Sequence, residues 1–436
     1  MSIRILIVDD SAFMRVLLSK LLERDPLLEV VGTARNGREA VAQVKKLHPD
    51  VVTMDIEMPE LNGIDALRLI MKECPTPVIM LSSHTRQGAE TTLDGLKYGA
   101  FDFVTKPENA YKANLDSVGA ELLAKVKSAA KTQLQYLASP LVDSAAPPPF
   151  GSAGPPPLDF AASTPLDSAA PTSFDSAGLR PFGSAASTSV DSAGSPSSAS
   201  AGSMPPSSAG PHSRSAGLPP SYFTGSLRSP PEPTAEADKQ MRQIVAIGTS
   251  TGGPRALETV LTSLPASIDC PLLIVQHMPP NFTKSLADRL DKICEIGVVE
   301  ATHHQLVEKG VAYIAPGGYH MGIVFRNGQY RIELNEQPKR NEHRPSVDVL
   351  FESVADLEGV MKHYVLMTGM GNDGAQGMLM GKRKGAASTI AESHETCIVY
   401  GMPKAAIELD CVDLVVPLPD IGAKIMEQLQ RNSSCG

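Results

Sequence analysis

Short apolar runs alternate with helix-like segments in the first third of the chain, and this alternation limits the possible folds most. The runs predict strands at residues 3–8, 30–34, 51–54, 78–81 and 103–104, and helical periodicity fills 12–22, 38–47 and 89–98. Alternation at this spacing favours right-handed crossovers and a parallel, doubly wound sheet. We therefore predict an α/β domain over residues 1–138, with its chemistry at the carboxyl ends of the strands.

Polar side chains follow four of these predicted strands. Asp9 and Asp10 end the first strand, Asp55 ends the third, Ser82 the fourth, and Lys106 follows the fifth. Three carboxylates on one sheet edge repel each other unless a cation lies between them, and oxygen ligands in a small site suit Mg²⁺. Asp55 could then accept a phosphoryl group whose oxygens the metal and Lys106 neutralise.

Three sequence strings in this segment resemble the receiver domain of two-component response regulators, which has a flavodoxin-like fold. They are Ile7-Val8-Asp9-Asp10-Ser11, Met54-Asp55-Ile56-Glu57-Met58-Pro59 and Thr105-Lys106-Pro107. The resemblance implies that Asp55 is the phospho-acceptor and that Asp9 and Asp10 bind Mg²⁺. It also implies that Ser82 is the switch hydroxyl and Phe103 its aromatic partner, although an ordinary core role for Phe103 stays open.

Residues 139–240 are rich in Ser, Ala, Pro and Gly and carry a repeat with a period of about eight residues. Such units bury too little apolar surface to offset the chain entropy lost on ordering, so we predict a disordered linker. A docking role for its four phenylalanines is the alternative (Phe150, Phe160, Phe174 and Phe182).

A predicted buried strand at residues 244–247 runs into the pattern Gly248-x-Ser250-x-Gly252, followed by Pro254 at the start of a helix. This pattern is typical of a nucleophile elbow, in which amide N–H groups at a helix N-terminus face a developing oxyanion. The alternative is a glycine turn that cradles a phosphate or only packs tightly.

Two further strands of the domain predicted for residues 241–436 end in polar groups. His277 follows a strand at 272–275, and Asp373 lies beyond a strand at 365–367. A parallel sheet would bring both to Ser250, which gives the three groups of an acyl-transfer triad. The chain order Ser, His, Asp differs from the Ser, Asp, His order of α/β-hydrolases.

Other residues compete for these roles. His320, in a glycine-rich segment predicted as a turn, could be the base in place of His277, and Asp348 could replace Asp373. The neighbouring His303 and His304 are predicted to lie on a solvated surface.

Five strings resemble the catalytic domain of chemotaxis protein-glutamate methylesterases, so the whole chain resembles a CheB-type response regulator with a Rossmann-like α/β esterase domain. They are Ile-Gly-Thr-Ser-Thr-Gly-Gly (247–253), Gln-His-Met-Pro-Pro (276–280), His-Arg-Pro-Ser-Val-Asp (343–348), Thr-Gly-Met-Gly-Asn-Asp-Gly (368–374) and Tyr-Gly-Met-Pro (400–403). The resemblance implies hydrolysis of glutamate γ-methyl esters on chemoreceptors and deamidation of receptor glutamines, without a cofactor for the esterase.

The same resemblance assigns roles in the esterase reaction. Ser250 is the nucleophile, His277 the base and Asp373 the orienting acid, and the Met370 N–H is a candidate oxyanion donor. The segment Glu392-Ser393-His394 departs from the family, which more often has Gln-Asp or Gln-Asn there.

Composition excludes several other functions. The net charge of −9 gives no basic surface for nucleic acid, so a DNA-binding output is disfavoured. The six cysteines form no C-x-x-C pair, and no apolar run is long enough to cross a membrane, so we expect a cytoplasmic protein.

The partners that the resemblance implies are chemoreceptors and a histidine kinase, and we expect a monomer. A non-catalytic receptor-binding adaptor remains the alternative.

Overall fold

The computed structural model describes residues 2–83, 85–106, 112–132 and 241–433. The predicted linker and its phenylalanines lie outside the described residues. The described N-terminal and C-terminal segments belong to one unit and share a continuous apolar core.

The N-terminal sheet has five parallel strands in the order β2-β1-β3-β4-β5. The strands are β1 (Ile3–Val8), β2 (Leu28–Ala34), β3 (Val51–Asp55), β4 (Val78–Ser82) and β5 (Asp102–Thr105). This order is that of flavodoxin-like folds and confirms the predicted doubly wound sheet. The interior strands are apolar on both faces because helices cover both sides of the sheet.

Five helices cover this sheet: α1 (Ala12–Leu22), α2 (Gly37–Leu47), α3 (Gly63–Glu73), α4 (Arg86–Lys97) and α5 (Lys112–Ala129). Local capping explains where several of them begin. The side chains of Ser11, Asn36, Asn62 and Thr85 each accept a hydrogen bond from a backbone N–H of the first helical turn. The predicted starts of α2 and α4 were late by one and three residues because apolar periodicity ignores such caps.

The C-terminal sheet has seven parallel strands in the order β14-β13-β12-β6-β7-β9-β8. They are β6 (Gln243–Thr249), β7 (Leu272–Gln276), β8 (Gly297–Glu300), β9 (Val311–Ile314), β12 (Met361–Leu366), β13 (Ser388–Glu392) and β14 (Leu414–Val416). After β6 the chain forms β7, which pairs with one edge of β6, and it later returns as β12, which pairs with the other edge. The strand order therefore reverses at β6, which opens a crevice at its carboxyl end.

The helices of this domain are α6 (Gly253–Thr262), α7 (Phe282–Asp291), α8 (Val347–Ala355), α9 (Ala375–Arg383), α10 (Met402–Glu408) and α11 (Leu418–Ser433). Within the described residues, no helix is long and apolar enough to span a bilayer.

An antiparallel hairpin of β10 (His320–Arg326) and β11 (Gln329–Asn335) is a feature that the sequence analysis missed. Its two-residue turn has positive φ at both Asn327 (54°) and Gly328 (81°). Asn-Gly is the preferred pair for such a turn, so the signal was available. His320 is the first residue of β10, and its predicted placement in a turn is wrong.

Candidate active site

The nucleophile candidate Ser250 lies directly after β6, on a tight turn into α6. Gly252 has φ of +81°, a left-handed conformation that favours glycine, and it caps the N-terminus of α6. A Cβ atom on Gly253 would lie 1.8 Å from the Gln276 Oε1 atom. The two glycines therefore allow the turn and its close approach to β7.

His277 lies at the neighbouring strand end, and its backbone N–H donates to Thr249 O at 3.1 Å. Its ring Nε2 is 2.7 Å from Asp373 Oδ2, and the side chain is only 5 % exposed. The other ring nitrogen, Nδ1, is buried and has no hydrogen-bond partner in the part of the chain that the structure describes. Because Nε2 is occupied by Asp373, Nδ1 is the ring nitrogen left free to accept a proton.

Asp373 is buried, with 1 % of its surface exposed, and four donors besides His277 hold its carboxylate. They are Val347 N at 2.6 Å, Ser346 Oγ at 2.8 Å, Asn341 Nδ2 at 2.9 Å and Asp348 N at 3.2 Å. Burial alone would raise the pKa of Asp373, but these hydrogen bonds and the His277 ring lower it below its ordinary value. The carboxylate is thus fixed in position and ionised.

The phosphoryl-acceptor candidates meet at the carboxyl edge of the N-terminal sheet. Carboxylate oxygens of Asp9, Asp10 and Asp55 lie within 4.8 Å of one another. Lys106 Nζ is 2.8 Å from both Asp9 Oδ2 and Asp55 Oδ2. Burial raises the pKa of Asp55 to about 6, against the lowering effect of Lys106, and the charges of Asp9 and Asp10 add to the rise.

Two family models match this chain. The CheB methylesterase family model matches residues 245–425, and the response regulator receiver domain model matches residues 5–114. A protein-glutamate methylesterase/protein-glutamine glutaminase of Geobacillus kaustophilus is 39 % identical over 426 residues, covering 98 % of each chain. This chain belongs to the CheB family.

A second full-length relative and a solved structure are also similar to this chain. A CheB-family protein of the same name from Pyrococcus abyssi is 37 % identical over 437 residues, covering 100 % of this chain and 96 % of its own. The solved CheB methylesterase catalytic domain of Thermotoga maritima is 43 % identical, with a TM-score of 0.42, and covers 43 % of this chain and 99 % of its own.

The alternatives to the triad serve other purposes in this CheB-family chain. Asp348 Oδ1 accepts hydrogen bonds from Gly374 N at 2.9 Å and Gly377 N at 2.6 Å, at the N-terminus of α9. His320 Nδ1 accepts from Ser346 N at 3.3 Å. Asp348 N donates directly to Asp373, and His320 is joined to it through Ser346, whose hydroxyl donates to Asp373. His303 and His304 are exposed, as predicted.

His343 is a site residue whose role the sequence analysis missed. Its ring stacks on that of His277, with centroids 3.7 Å apart and planes 12° from parallel. Burial, and then the charge of His277, lowers the pKa of His343 to about 3, so the ring stays neutral at working pH. The string 343–348 was noticed for its family resemblance, but nothing in it signals contact with His277.

This depressed pKa predicts an acid sensitivity. Unfolding frees His343 to bind a proton with an ordinary pKa of about 6.5, so stability falls as pH drops below that value. Between pH 7 and pH 5 we expect the free energy of unfolding to lose about 2 kcal/mol through this residue. Urea unfolding of His343→Gln and of the unchanged chain at both pH values measures it. Equal losses in the two proteins would contradict the assignment.

Met370, the oxyanion candidate, follows Gly369 in the loop after β12. A Cβ atom on Gly369 would lie 2.8 Å from Ser250 Cβ, so this loop passes directly against Ser250. The Met370 N–H donates no recorded hydrogen bond to the described residues. It therefore remains available, and its oxyanion role stays a prediction.

Receiver residues contact the catalytic domain beside these groups. Asp102 Oδ2 accepts a hydrogen bond from Thr251 Oγ1 at 2.6 Å, one residue after the nucleophile. Ser128 Oγ lies 3.4 Å from Met370 Sδ. Phe103 stacks on Phe282, with centroids 4.6 Å apart and planes 7° from parallel. Ion pairs at the edge of this contact join Arg289 with Asp94 at 3.2 Å and Arg86 with Asp288 at 3.4 Å.

Ser82, the switch candidate, is fully buried and turned toward α4. Its hydroxyl accepts from Thr92 Oγ1 at 2.5 Å and donates toward Gly88 O at 3.2 Å. A phosphoryl group on Asp55 would compete for this hydroxyl. Phe103, the other switch candidate, stacks on Phe282 of the catalytic domain, whereas the contacts of Ser82 are within the receiver.

Proposed function

We propose that this protein hydrolyses glutamate γ-methyl esters on chemoreceptors and deamidates receptor glutamines, and that phosphorylation of Asp55 activates it. The 2.7 Å contact between His277 Nε2 and Asp373 Oδ2, beside Ser250 on its elbow, carries this proposal. The names of the full-length relatives, protein-glutamate methylesterase/protein-glutamine glutaminase, support the choice of substrate.

In the acylation step, Ser250 Oγ attacks the ester carbonyl carbon while His277 Nδ1 takes the hydroxyl proton. Asp373 stabilises the imidazolium that forms. The carbonyl oxygen becomes an oxyanion and accepts a hydrogen bond from the Met370 N–H. His277 then returns the proton to the methoxy oxygen, and methanol leaves.

Water completes the cycle. His277 takes a proton from a water molecule as the water oxygen attacks the acyl carbon, and collapse of the second intermediate restores the Ser250 hydroxyl. The product is a glutamate carboxylate. With a glutamine substrate the same steps release ammonia in place of methanol.

The receiver site fits Mg²⁺, because three carboxylates supply hard oxygen ligands in a small volume. Asp9, Asp10 and Asp55 would hold the ion, which neutralises charge on a transferred phosphoryl group. Lys106 lies where it can bind a phosphoryl oxygen, and Asp55 is the acceptor. A histidine kinase of the chemoreceptor array is the proposed phosphodonor.

We propose that the unphosphorylated receiver covers the esterase site. The contacts of Asp102 with Thr251 and of Ser128 with Met370 support this, because both esterase residues adjoin the reacting atoms. Repacking of Ser82 and Phe103 on phosphorylation would remove the stack on Phe282 and weaken the covered state.

Reversing one charge at this contact should release the esterase. Arg289→Glu places a carboxylate against Asp94 and Glu258, both of which pair with Arg289 in the structure. We expect the unphosphorylated rate to rise about tenfold, equivalent to ~1.4 kcal/mol of docking. Adding Asp94→Arg should reverse most of the rise. The control Arg326→Glu, on the hairpin of β10 and β11, should leave the unphosphorylated rate unchanged. An unchanged rate in Arg289→Glu would contradict coverage by the receiver.

A receptor carrying labelled methyl esters tests the enzymatic function itself. We expect release of labelled methanol, whereas binding to the receptor without release would identify an adaptor.

We also propose a cytoplasmic location, which the free thiols of the described cysteines support (Cys74, Cys270, Cys294, Cys397 and Cys411). The monomeric state stays a prediction.

A further inference from the structure

A buried carboxyl group lies beneath the esterase site at the end of β13. Glu392 is 0 % exposed, and no lysine or arginine forms a recorded ion pair with it among residues 241–433. Burial raises the pKa of Glu392 to about 7, and the one titratable neighbour that affects it is the Cys397 thiol. A buried carboxyl without a cation is costly, so its hydrogen bonds indicate why it is there.

Glu392 uses its two carboxyl oxygens on two different loops. Oε2 accepts a hydrogen bond from Thr368 N at 2.8 Å, and Oε1 accepts one from Thr396 Oγ1 at 3.0 Å. Thr368 lies in the loop after β12, two residues before Met370. The carboxyl group thus anchors this loop close to the candidate oxyanion donor.

Thr368 in turn holds the nucleophile elbow with its remaining polar atoms. Its carbonyl oxygen accepts from Ser250 N at 3.0 Å, and its hydroxyl donates to Thr251 O at 2.9 Å. The hydroxyl also accepts from Val399 N at 3.0 Å. Thr368 is 1 % exposed, so water does not replace these contacts. A displacement of the Thr368 backbone would therefore disturb Ser250 and the Met370 N–H to different extents and change the distance between them.

We propose that Glu392 is a positioning residue of the esterase, which sets the separation of the Ser250 hydroxyl and the Met370 N–H by anchoring Thr368. It does not touch the substrate and acts only through Thr368. The inference rests on the proposed esterase function. It explains why a polar side chain that reaches Thr368 N occupies this buried strand end.

Three substitutions separate the possible reasons for this residue. Glu392→Ala removes the anchor. Glu392→Asp keeps the carboxyl group but is one methylene shorter, so it does not reach Thr368 N. Glu392→Gln loses the carboxyl group but keeps an acceptor for Thr368 N–H and a donor for the Thr396 hydroxyl. Glu395→Ala, at an exposed glutamate three residues along, is the matched control.

The full-length chain with saturating phosphodonor is assayed for demethylation of receptor and for labelling of Ser250 by a small fluorophosphonate. We expect Glu392→Ala and Glu392→Asp to lower kcat about 100-fold with KM within about twofold, because misplacement of about 1 Å costs on this order. Glu392→Gln should stay within about threefold of the unchanged protein, and labelling should follow kcat. Circular dichroism identifies any variant that does not fold.

Equal kcat in Glu392→Ala and the unchanged protein would overturn the proposal, as would a loss confined to KM. If Glu392→Ala does not fold, the other pair decides. A higher kcat in Glu392→Gln than in Glu392→Asp supports positioning. The reverse order would overturn the proposal, because it would show that the activity depends on the carboxyl group and not on the reach to Thr368 N. Absence of methanol release from the unchanged protein would refute the esterase function, while the fluorophosphonate rates would still test the anchoring of Ser250.

Discussion

Ser250→Ala should abolish hydrolysis while the chain still folds. Loss of a triad member costs on the order of 10⁴–10⁶ in rate. The neighbouring Thr249 and Thr251 hydroxyls do not replace Ser250, because they donate to Gln276 and Asp102. The Ser250 backbone N–H donates to Thr368 O at 3.0 Å, so this contact still holds the elbow when the hydroxyl is removed. Methanol release from methylated receptor measures the loss.

The matched control is Ser263→Ala. Ser263 ends α6, the helix that Ser250 precedes, and its hydroxyl donates only to Val260 O at 2.7 Å among the recorded contacts. We expect nearly unchanged hydrolysis in this variant. If Ser250→Ala kept a tenth of the original rate, Ser250 would not be the nucleophile.

Asp373→Asn should lower kcat by about 10⁴, since the corresponding change in a serine protease triad has that effect. An asparagine amide cannot stabilise the imidazolium. Asn341, Ser346 and the Asp348 N–H all donate to the Oδ1 position, so the amide oxygen of the new asparagine takes that position. Its NH₂ group then takes the Oδ2 position, where it faces His277 and the Val347 N–H. Nε2 of His277 then has to accept, which puts the proton on Nδ1 and blocks the base.

Measurement of kcat against pH tests whether the proton held on His277 Nδ1 is what blocks the base. Asp356→Asn, an exposed aspartate paired with Lys384, serves as the control and should behave as the unchanged protein. A loss below tenfold for Asp373→Asn at neutral pH would show that Asp373 does not orient the base, and Asp348 would become the next candidate.

Strand ends could be located from the sequence because a parallel sheet leaves little freedom there. Alternation placed Asp9, Asp55, Ser250 and His277 within a residue or two of the strand ends that the structure shows. Topology then brings such residues to one edge whatever their separation along the chain. Asp373 is harder, since it lies seven residues beyond β12, and strand-end reasoning left Asp348 as an alternative.

The surroundings of the triad could not be predicted in the same way. Asn341, His343 and Ser346 come from the loop between β11 and α8, which has no periodicity to reveal its course. The contact between Asp102 and Thr251 depends on how two folded surfaces meet, and no local pattern encodes that. Glu392 was visible only as a departure from its family, and its hydrogen bonds supplied the reason.

The most direct test of phosphorylation control compares the demethylation rate of the full-length chain with and without a small phosphodonor and Mg²⁺, alongside Asp55→Asn. Coverage of Ser250 by the receiver predicts that the donor raises the rate at least about tenfold, or ~1.4 kcal/mol of released docking. Asp55→Asn should stay at the unstimulated rate under both conditions, and adding Arg289→Glu to it should raise that rate. Equal rates with and without the donor in a chain shown to be phosphorylated on Asp55 would contradict the account.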